Sequence, residues 1–444
     1  MAFHGQREQA RKVSAAEAAG LVKSGMWLDW GFGLCQPDKF DAALAARKDE
    51  VKGVKIRVCL SMRPRQVLEC DPDGTHFQWF NWHFSGYDRK HHDAGRCNYI
   101  PMNFGEVPDW YRRFIDPTDI LILKTAPMDE NGYFNFGMSS TYSYATAERA
   151  RCIIVEVSEH APVVFGEQSA LHVSQVDYII DEGSDPLPEL KNPPVSEIDR
   201  KIAGLIAAEV EDGACLQIGI GGMPNAVCSM LKEAGVKDLG IHTEMLGDGL
   251  VDLIEAGMIT NARKRVNPGK TVFTFAGGSR KLYDIIHRNQ DIVVYPVDYT
   301  NLPHNIMQND KVVSINNTTQ IDLQGQAASE SAGTRHISGT GGQLQFVRGA
   351  YASHGGKSFI CMSSTYDKKG EPQSRIVSML TPGNIVTTPR VDTMYVATEY
   401  GIVNLKGKSV SERATALISI AHPKFREQLE RDARDKNIIC KGFV

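Results

Sequence analysis

Residues 213–227 read GACLQIGIGGMPNAV. A glycine turn leads into the apolar run CLQIGI, and a second glycine turn ends that run before a helix-forming stretch whose first turn contains Pro224. A short apolar run bounded by glycines and followed by a helix reads as a buried strand handing over to a helix. The pattern has an earlier counterpart. Gly25, Gly31 and Gly33 in GMWLDWGFG stand at a constant offset of 188 from Gly213, Gly219 and Gly221. Any two α/β halves share glycine turns after strands, but a register kept at three positions favours a diverged repeat. The expectation is two similar open α/β domains facing one another, with the active site in the cleft between them, where strands of open sheets end.

Working outward, the first half offers a capped helix over 14–24 and a helix in PDKFDAALAARKDE after the first strand. Strands are expected at 54–60, 119–126 and 152–157. Residues 181–197, DEGSDPLPELKNPPVSE, hold four prolines and five acids and mark a boundary. This predicts a first domain over 1–190 and a second over 191–444. The second restarts with a helix at 199–210, the strand CLQIGI, a helix from Pro224, the strand LGIHT and a helix from about 247. Later strands are expected in TVFTFA, DIVVYPV, VVSINN, FICMSST and MYVATEY. LILKTAPMDENGYF has a weaker echo in FICMSSTYDKKGEP, and CIIVEV in MYVATEY. Ser409 and Glu412 have capping-box spacing, and HPKFREQLERDAR reads as a last charged helix.

Composition narrows the function classes. The chain has 444 residues, 49 Lys plus Arg against 53 Asp plus Glu, and a formal charge of −4, so no global attraction to nucleic acid is expected. Its nine cysteines are odd in number and form no CxxC pair, which argues against a zinc ribbon or a disulfide framework. The start, MAFHGQREQARKV, lacks an apolar leader core. No apolar run of about 18 residues could span a bilayer. A cytoplasmic protein without membrane attachment is the expectation.

Three glycine-rich segments could approach a ligand with their backbones: 219–227, FAGGSRKLYD at 275–284 and GTGGQLQFVRGA at 339–350. Free amides at the turn of Gly219, Gly221 and Gly222, leading to Met223, Pro224 and Asn225, can hold an anion; a plain tight turn is the alternative. GIGGMP breaks the dinucleotide fingerprint at its third glycine, and no GxxxxGK[ST] loop occurs, so a nicotinamide dehydrogenase is disfavoured. The basic residues at 263–265, Lys270, Arg280 and Lys281 could meet phosphates, or form a solvated face. Glu244, in LGIHTEM, stands where a strand hands over to a loop. It could be a base, a nucleophile or merely a helix-cap neighbour. His242, two positions earlier, would share its face in a strand. No His/Cys/Asp set supports a metal. The aromatics of HFQWFNWHFSG look like a pocket wall or a packed loop.

Taken in order, GIGGMPNAV, LGIHTEM, TFAGG, PVDYTN, SINN, SGTGGQLQFVRGA, SFICMSST and VATEYGIVNLKG resemble the acetyl-CoA hydrolase/transferase family of CoA-transferases. The subgroup most similar transfers CoA from butyryl-CoA or propionyl-CoA to acetate; APMDENGYFNFG and WFNWHFSG agree with it. The likeness covers nearly the whole chain. It implies that Glu244 is a covalent nucleophile working by ping-pong exchange, through an acyl-glutamyl anhydride and a glutamyl-CoA thioester. It implies a backbone amide at Gly341 or Gly342 and the side chain of Asn316 as oxyanion donors. Gly219, Gly221, Gly222, Met223, Pro224 and Asn225 would line the acyl and thiol region, with Gly341 and Gly342. Partners would be an acyl-CoA and a short-chain carboxylate, with no tightly bound cofactor, no metal and a homo-oligomeric assembly. The first domain would exclude water through the regions Asp129 to Phe136 and Trp79 to Phe84. A 4-hydroxybutyrate CoA-transferase and a short-chain acyl-CoA hydrolase are the nearest alternatives. A non-catalytic CoA-binding protein would better suit a chain lacking the HTEM glutamate or the GTGG loop.

Overall fold

The computed structural model describes residues 9–443; the first eight residues, where the leader was sought, and Val444 lie outside the described residues. The chain divides into two compact units, Met1–Leu190 with Val272–Thr300, and Lys191–Thr271 with Asn301–Val444. The segment 272–300 was expected in the second domain and groups with the first. Backbone hydrogen bonds hold it there: Arg288 N donates to Val163 O (2.7 Å) and Val294 N to Phe165 O (2.8 Å). Such an excursion carries no signal in local periodicity. The glycine segment FAGGSRKLYD travels with it into the first unit.

The first unit is built on an eight-stranded sheet. In chain order its strands are β1 (Arg11–Val13), β2 (Trp27–Trp30), β3 (Val54–Val58), β4 (Phe77–Asn81), β5 (Cys97–Tyr99), β6 (Ile120–Thr125), β7 (Cys152–Val157) and β8 (Tyr178–Ile180). They lie in the order β1-β8-β7-β6-β2-β3-β4-β5, with every pairing parallel. Successive side chains of a strand point to opposite faces, and both faces here are apolar. Ile120 and Ile122 enter one core cluster, while Leu121 and Leu123 enter another. Ile154 and Ile180 follow the first pair, Ile153, Val155 and Ile179 the second. That is why these strands read as unbroken apolar runs. Trp79 and Phe84 belong to the first of these clusters and Trp82 is likewise buried, so these three are core residues, while Phe80 is half-buried against Trp27. Phe134 and Phe136 are core residues too, in the second cluster.

The second unit repeats the plan. Its main sheet holds β9 (Cys215–Ile218), β10 (Gly240–Ile241), β11 (Val312–Asn317), β12 (Lys357–Cys361), β13 (Tyr395–Thr398) and β14 (Gly401–Asn404), in the order β10-β9-β11-β12-β13-β14. Only the last pairing is antiparallel. Five strands match one for one: β3-β2-β6-β7-β8 in the first sheet and β10-β9-β11-β12-β13 in the second. The glycine register is part of the match, since Gly25 and Gly213 turn into β2 and β9 with φ of 78° and 77°.

This order corrects the later echo. It aligns LILKTA in β6 with VVSINN in β11, not with FICMSST in β12. The turns after these strands confirm it. Asp129 Oδ1 accepts from the amides of Asn131 and Tyr133, and Asp322 Oδ1 from those of Gln324 and Gln326, before Gly132 and Gly325 at φ 82° and 98°. Aspartate closing its own turn, then a left-handed glycine, is one device used twice at an offset of 193. The sequence missed it because only the Asp and Gly recur.

Candidate functional site

Glu244 owes its position to a clamp on the strand before it. β10 pairs with β9 for two residues, and His242 N closes the ladder on Leu216 O (3.2 Å). Asn261 Oδ1 accepts from Ile241 N (2.9 Å), while Lys264 Nζ donates to Ile241 O (2.9 Å) and Lys270 O (2.6 Å). Lys264 is only 6% exposed, and burial pushes its pKa down to about 8. Both sides of the Ile241 peptide are therefore fixed. The chain then bends at Glu244, with Thr243 Oγ1 donating across the bend to Met245 O (3.1 Å). His242 and Glu244 are thus not two positions of one strand, as the sequence led us to expect. His242 is buried, its ring centroid 6.5 Å from that of Phe346.

The carboxyl group of Glu244 meets two nitrogen donors. Asn301 Nδ2 donates to Oε2 at 2.5 Å, and the amide of Gly342 supplies a second hydrogen bond. Although Glu244 as a residue is half-buried, its carboxyl is enclosed, and burial pushes the pKa up to about 7 against the lowering effect of both donors. The result is a carboxylate that ionises near neutrality, weakly solvated and oriented by fixed dipoles. Asn301 is fully buried at the end of the helix Val297–Asn301. Sequence reasoning quoted it only as the last letter of PVDYTN, because nothing local marks an asparagine as facing a residue 57 positions away.

The GTGG loop earns its glycines sterically. A Cβ on Gly342 would run into Glu244 Oε2 and Asn301 Nδ2. Gly341 takes φ 56°, turning the loop so that the next amide faces the carboxylate. The amide bonded to Glu244 is that of Gly342; Gly341 sets its direction. Gly342 is also the N-cap of the helix Gln343–Ala352.

Asn316 lies in β11 and shares no hydrogen bond with Glu244. Its Nδ2 donates to Gln217 Oε1 (3.1 Å) and Ser314 Oγ (2.9 Å), so both amide hydrogens are engaged. Asn317, its neighbour, is exposed. The turn of Gly219, Gly221 and Gly222 opens α1 (Gly222–Ala234), whose N-cap Gly221 has φ 121° and no side-chain cap. Met223 and Pro224 are buried, and Asn225 faces the helix Asp248–Glu255, where a Cβ on Gly249 would lie 2.9 Å from Asn225 Oδ1. Ile220 packs over Gly247, three residues beyond Glu244, linking this turn to the bend. The basic candidates are largely occupied: Arg263 pairs with Asp238, Arg265 with Asp310 and Arg280 with Asp284. Among the described residues no cluster of three or more His, Cys, Asp or Glu could hold a metal, all nine cysteines are free thiols, and no helix is long and apolar enough to cross a membrane.

A family model for the acetyl-CoA hydrolase/transferase N-terminal domain matches residues 3–190, and the model for the C-terminal domain of that family matches 278–433. The chain belongs to the acetyl-CoA hydrolase/transferase family. It is 45% identical over 433 residues to the butyryl-CoA:acetate CoA-transferase of Anaerostipes caccae, covering 97% of each chain. It is 40% identical over 424 residues to the 4-hydroxybutyrate coenzyme A transferase of Clostridium kluyveri, covering 96% of this chain and 97% of the other. The crystal structure of RipA from Yersinia pestis superposes with a TM-score of 0.89 at 39% identity, covering 97% of this chain and 98% of that one. Membership of the acetyl-CoA hydrolase/transferase family makes the chain an enzyme of the CoA-transferase kind, acting on CoA thioesters.

Proposed function

We propose that the protein is a short-chain acyl-CoA:acetate CoA-transferase, taking butyryl-CoA or propionyl-CoA as donor, with Glu244 as covalent carrier. The observation that carries this is the enclosed carboxylate of Glu244 between Asn301 and the Gly342 amide. The likeness to the butyryl-CoA:acetate enzyme supports the choice of substrates.

The steps follow from a carboxylate poised near neutrality. Ionised Glu244 attacks the thioester carbonyl, the C–S bond breaks, and CoA leaves as thiolate from a mixed acyl-glutamyl anhydride. The thiolate attacks the glutamyl carbonyl of that anhydride, freeing the first carboxylate and leaving a glutamyl-CoA thioester. Acetate then attacks this thioester, expelling the thiolate and forming acetyl-glutamyl anhydride. The returning thiolate takes the acetyl group and regenerates the Glu244 carboxylate. Each half mirrors the other, which gives ping-pong kinetics, and the thioester's energy is conserved. Negative charge builds on a carbonyl oxygen at every attack and needs preorganised donors. Gly342 is the amide best placed to donate. Asn316 would join it only by giving up a bond to Gln217 or Ser314.

The 40% identity to a 4-hydroxybutyrate enzyme favours that acyl chain as a second reading. One added hydroxyl changes binding in an apolar pocket only modestly, by about 1–3 kcal/mol. Purified protein given butyryl-CoA and labelled acetate tests the proposal. The expected result is labelled acetyl-CoA with total thioester conserved. Thiol release without acetyl-CoA would identify a hydrolase and overturn it.

A further inference from the structure

Two pockets of the second unit share Thr319 and Arg375 in their walls and so adjoin. One, about 310 Å³, runs from Gly222 and Met223 at the start of α1 to Asn317 at the end of β11. The other, about 390 Å³, lies beside the hairpin Thr365–Lys368 and Glu371–Ser374, against Tyr366, Lys368 and Asn384. Each falls within the range of small-molecule sites, roughly 300–1,000 Å³.

Arg375 stands where they meet. Arg57, Arg63, Arg112 and Arg348 all face carboxylates. Arg375 has no carboxylate within ion-pair distance among the described residues. Its Nη1 donates to Thr319 O (2.9 Å) and its Nε to Ser363 Oγ (3.2 Å), and the guanidinium lies 5.1 Å from the Tyr366 ring centroid. It is half-buried, and burial pushes its pKa down. The acidic residue in the pocket walls, Asp199, is engaged in capping the helix Glu197–Ala207 through Ser196. A partly desolvated cation with neutral partners is unfavourable unless an anion completes it. The remaining guanidinium hydrogens and the exposed ammonium of Lys368 on the same hairpin make the larger pocket attractive to a polyanion, whereas Asp199 beside Gly222 makes the smaller one less so.

We infer that Arg375, with Lys368, holds phosphates of the nucleotide end of the acyl-CoA, while the smaller pocket takes the uncharged pantetheine arm towards Gly222 and Asn317. This rests on the acyl-CoA reading above and supplies the nucleotide contacts that the basic run at 263–265 cannot, since Arg263 and Arg265 are paired and Lys264 is buried beneath β10.

The test compares butyryl-CoA with butyryl-pantetheine, which has the same thioester and no nucleotide. Arg375→Gln should raise KM for butyryl-CoA by about tenfold or more, the loss of a charge-assisted hydrogen bond, with kcat little changed. Turnover of butyryl-pantetheine should stay the same, and Arg375→Lys should recover part of the lost affinity. Lys368→Gln, on an exposed hairpin that tolerates substitution, should show a smaller rise confined to butyryl-CoA. Equal losses with both thioesters would make Arg375 a structural residue and overturn the assignment, as would unchanged KM in both Gln variants. Calorimetric titration with CoA keeps the two readings apart. If the parent binds CoA and the variants bind it more weakly, the site stands even where exchange with acetate fails. If all bind CoA equally, the site falls even where exchange succeeds.

Discussion

Glu244 combines two features that oppose each other: enclosure, which raises its pKa, and two donors, which lower it. The balance near 7 fixes the expected pH dependence. The proposed nucleophile is the ionised form, so kcat/KM for the thioester should rise with pH, flatten above about 7 and fall about tenfold per unit below it. Asn301 favours the ionised form, so Asn301→Ala should move the inflection to higher pH. It should lower kcat/KM at pH 6 by roughly ten- to a hundredfold, the equivalent of about 1.5–3 kcal/mol for a hydrogen bond to a charged group. A pH–rate profile of the variant checks both; an unmoved inflection would remove Asn301 from the site. At this scale the sequence was uneven. Glu244 was legible because HTEM resembles a family motif, and Gly342 because a GG pair after a loop demands close approach. Asn301 was not, since its role exists only once the chain has folded back over 57 positions.

The element that holds Glu244 is the two-residue strand β10 and the segment clamped behind it. Asn261 takes φ 53° and is buried, with Oδ1 on Ile241 N and Nδ2 donating to Thr271 Oγ1 (3.0 Å). Asparagine tolerates that backbone better than most residues, and its removal would leave both partners unsatisfied. Asn261→Ala should cost about 1–3 kcal/mol by denaturant unfolding and lower kcat more than it raises KM, because the nucleophile shifts while the thioester's distal contacts remain. A variant of parental stability would show that the clamp is incidental. The strands themselves were legible as apolar runs, since a sheet covered on both faces needs no alternation. The bend was not. LGIHTEM reads as one strand through Thr243, whereas the last bond to β9 is from His242 N to Leu216 O (3.2 Å) and the chain bends at Glu244.

At the scale of the whole molecule, the constant glycine offset was enough to read a repeated α/β plan, and the five matched strands of each sheet bear it out. What periodicity could not supply was the return of 272–300 to the first unit, which depends on backbone bonds to Val163 and Phe165. Nor could it align β6 with β11, because two apolar strands look alike and the shared Asp–Gly turn keeps only two letters. A glycine turn after one strand, a bend after the next and a glycine loop before a helix surround Glu244, which we propose as the covalent carrier. The most direct test of that claim is intact-protein mass spectrometry after brief exposure to butyryl-CoA without acetate, followed by peptide mapping. The account predicts a CoA adduct, joined through a thioester to Glu244, that disappears on addition of acetate and never forms in Glu244→Ala. An adduct on another residue, or exchange activity that survives in Glu244→Ala, would contradict it.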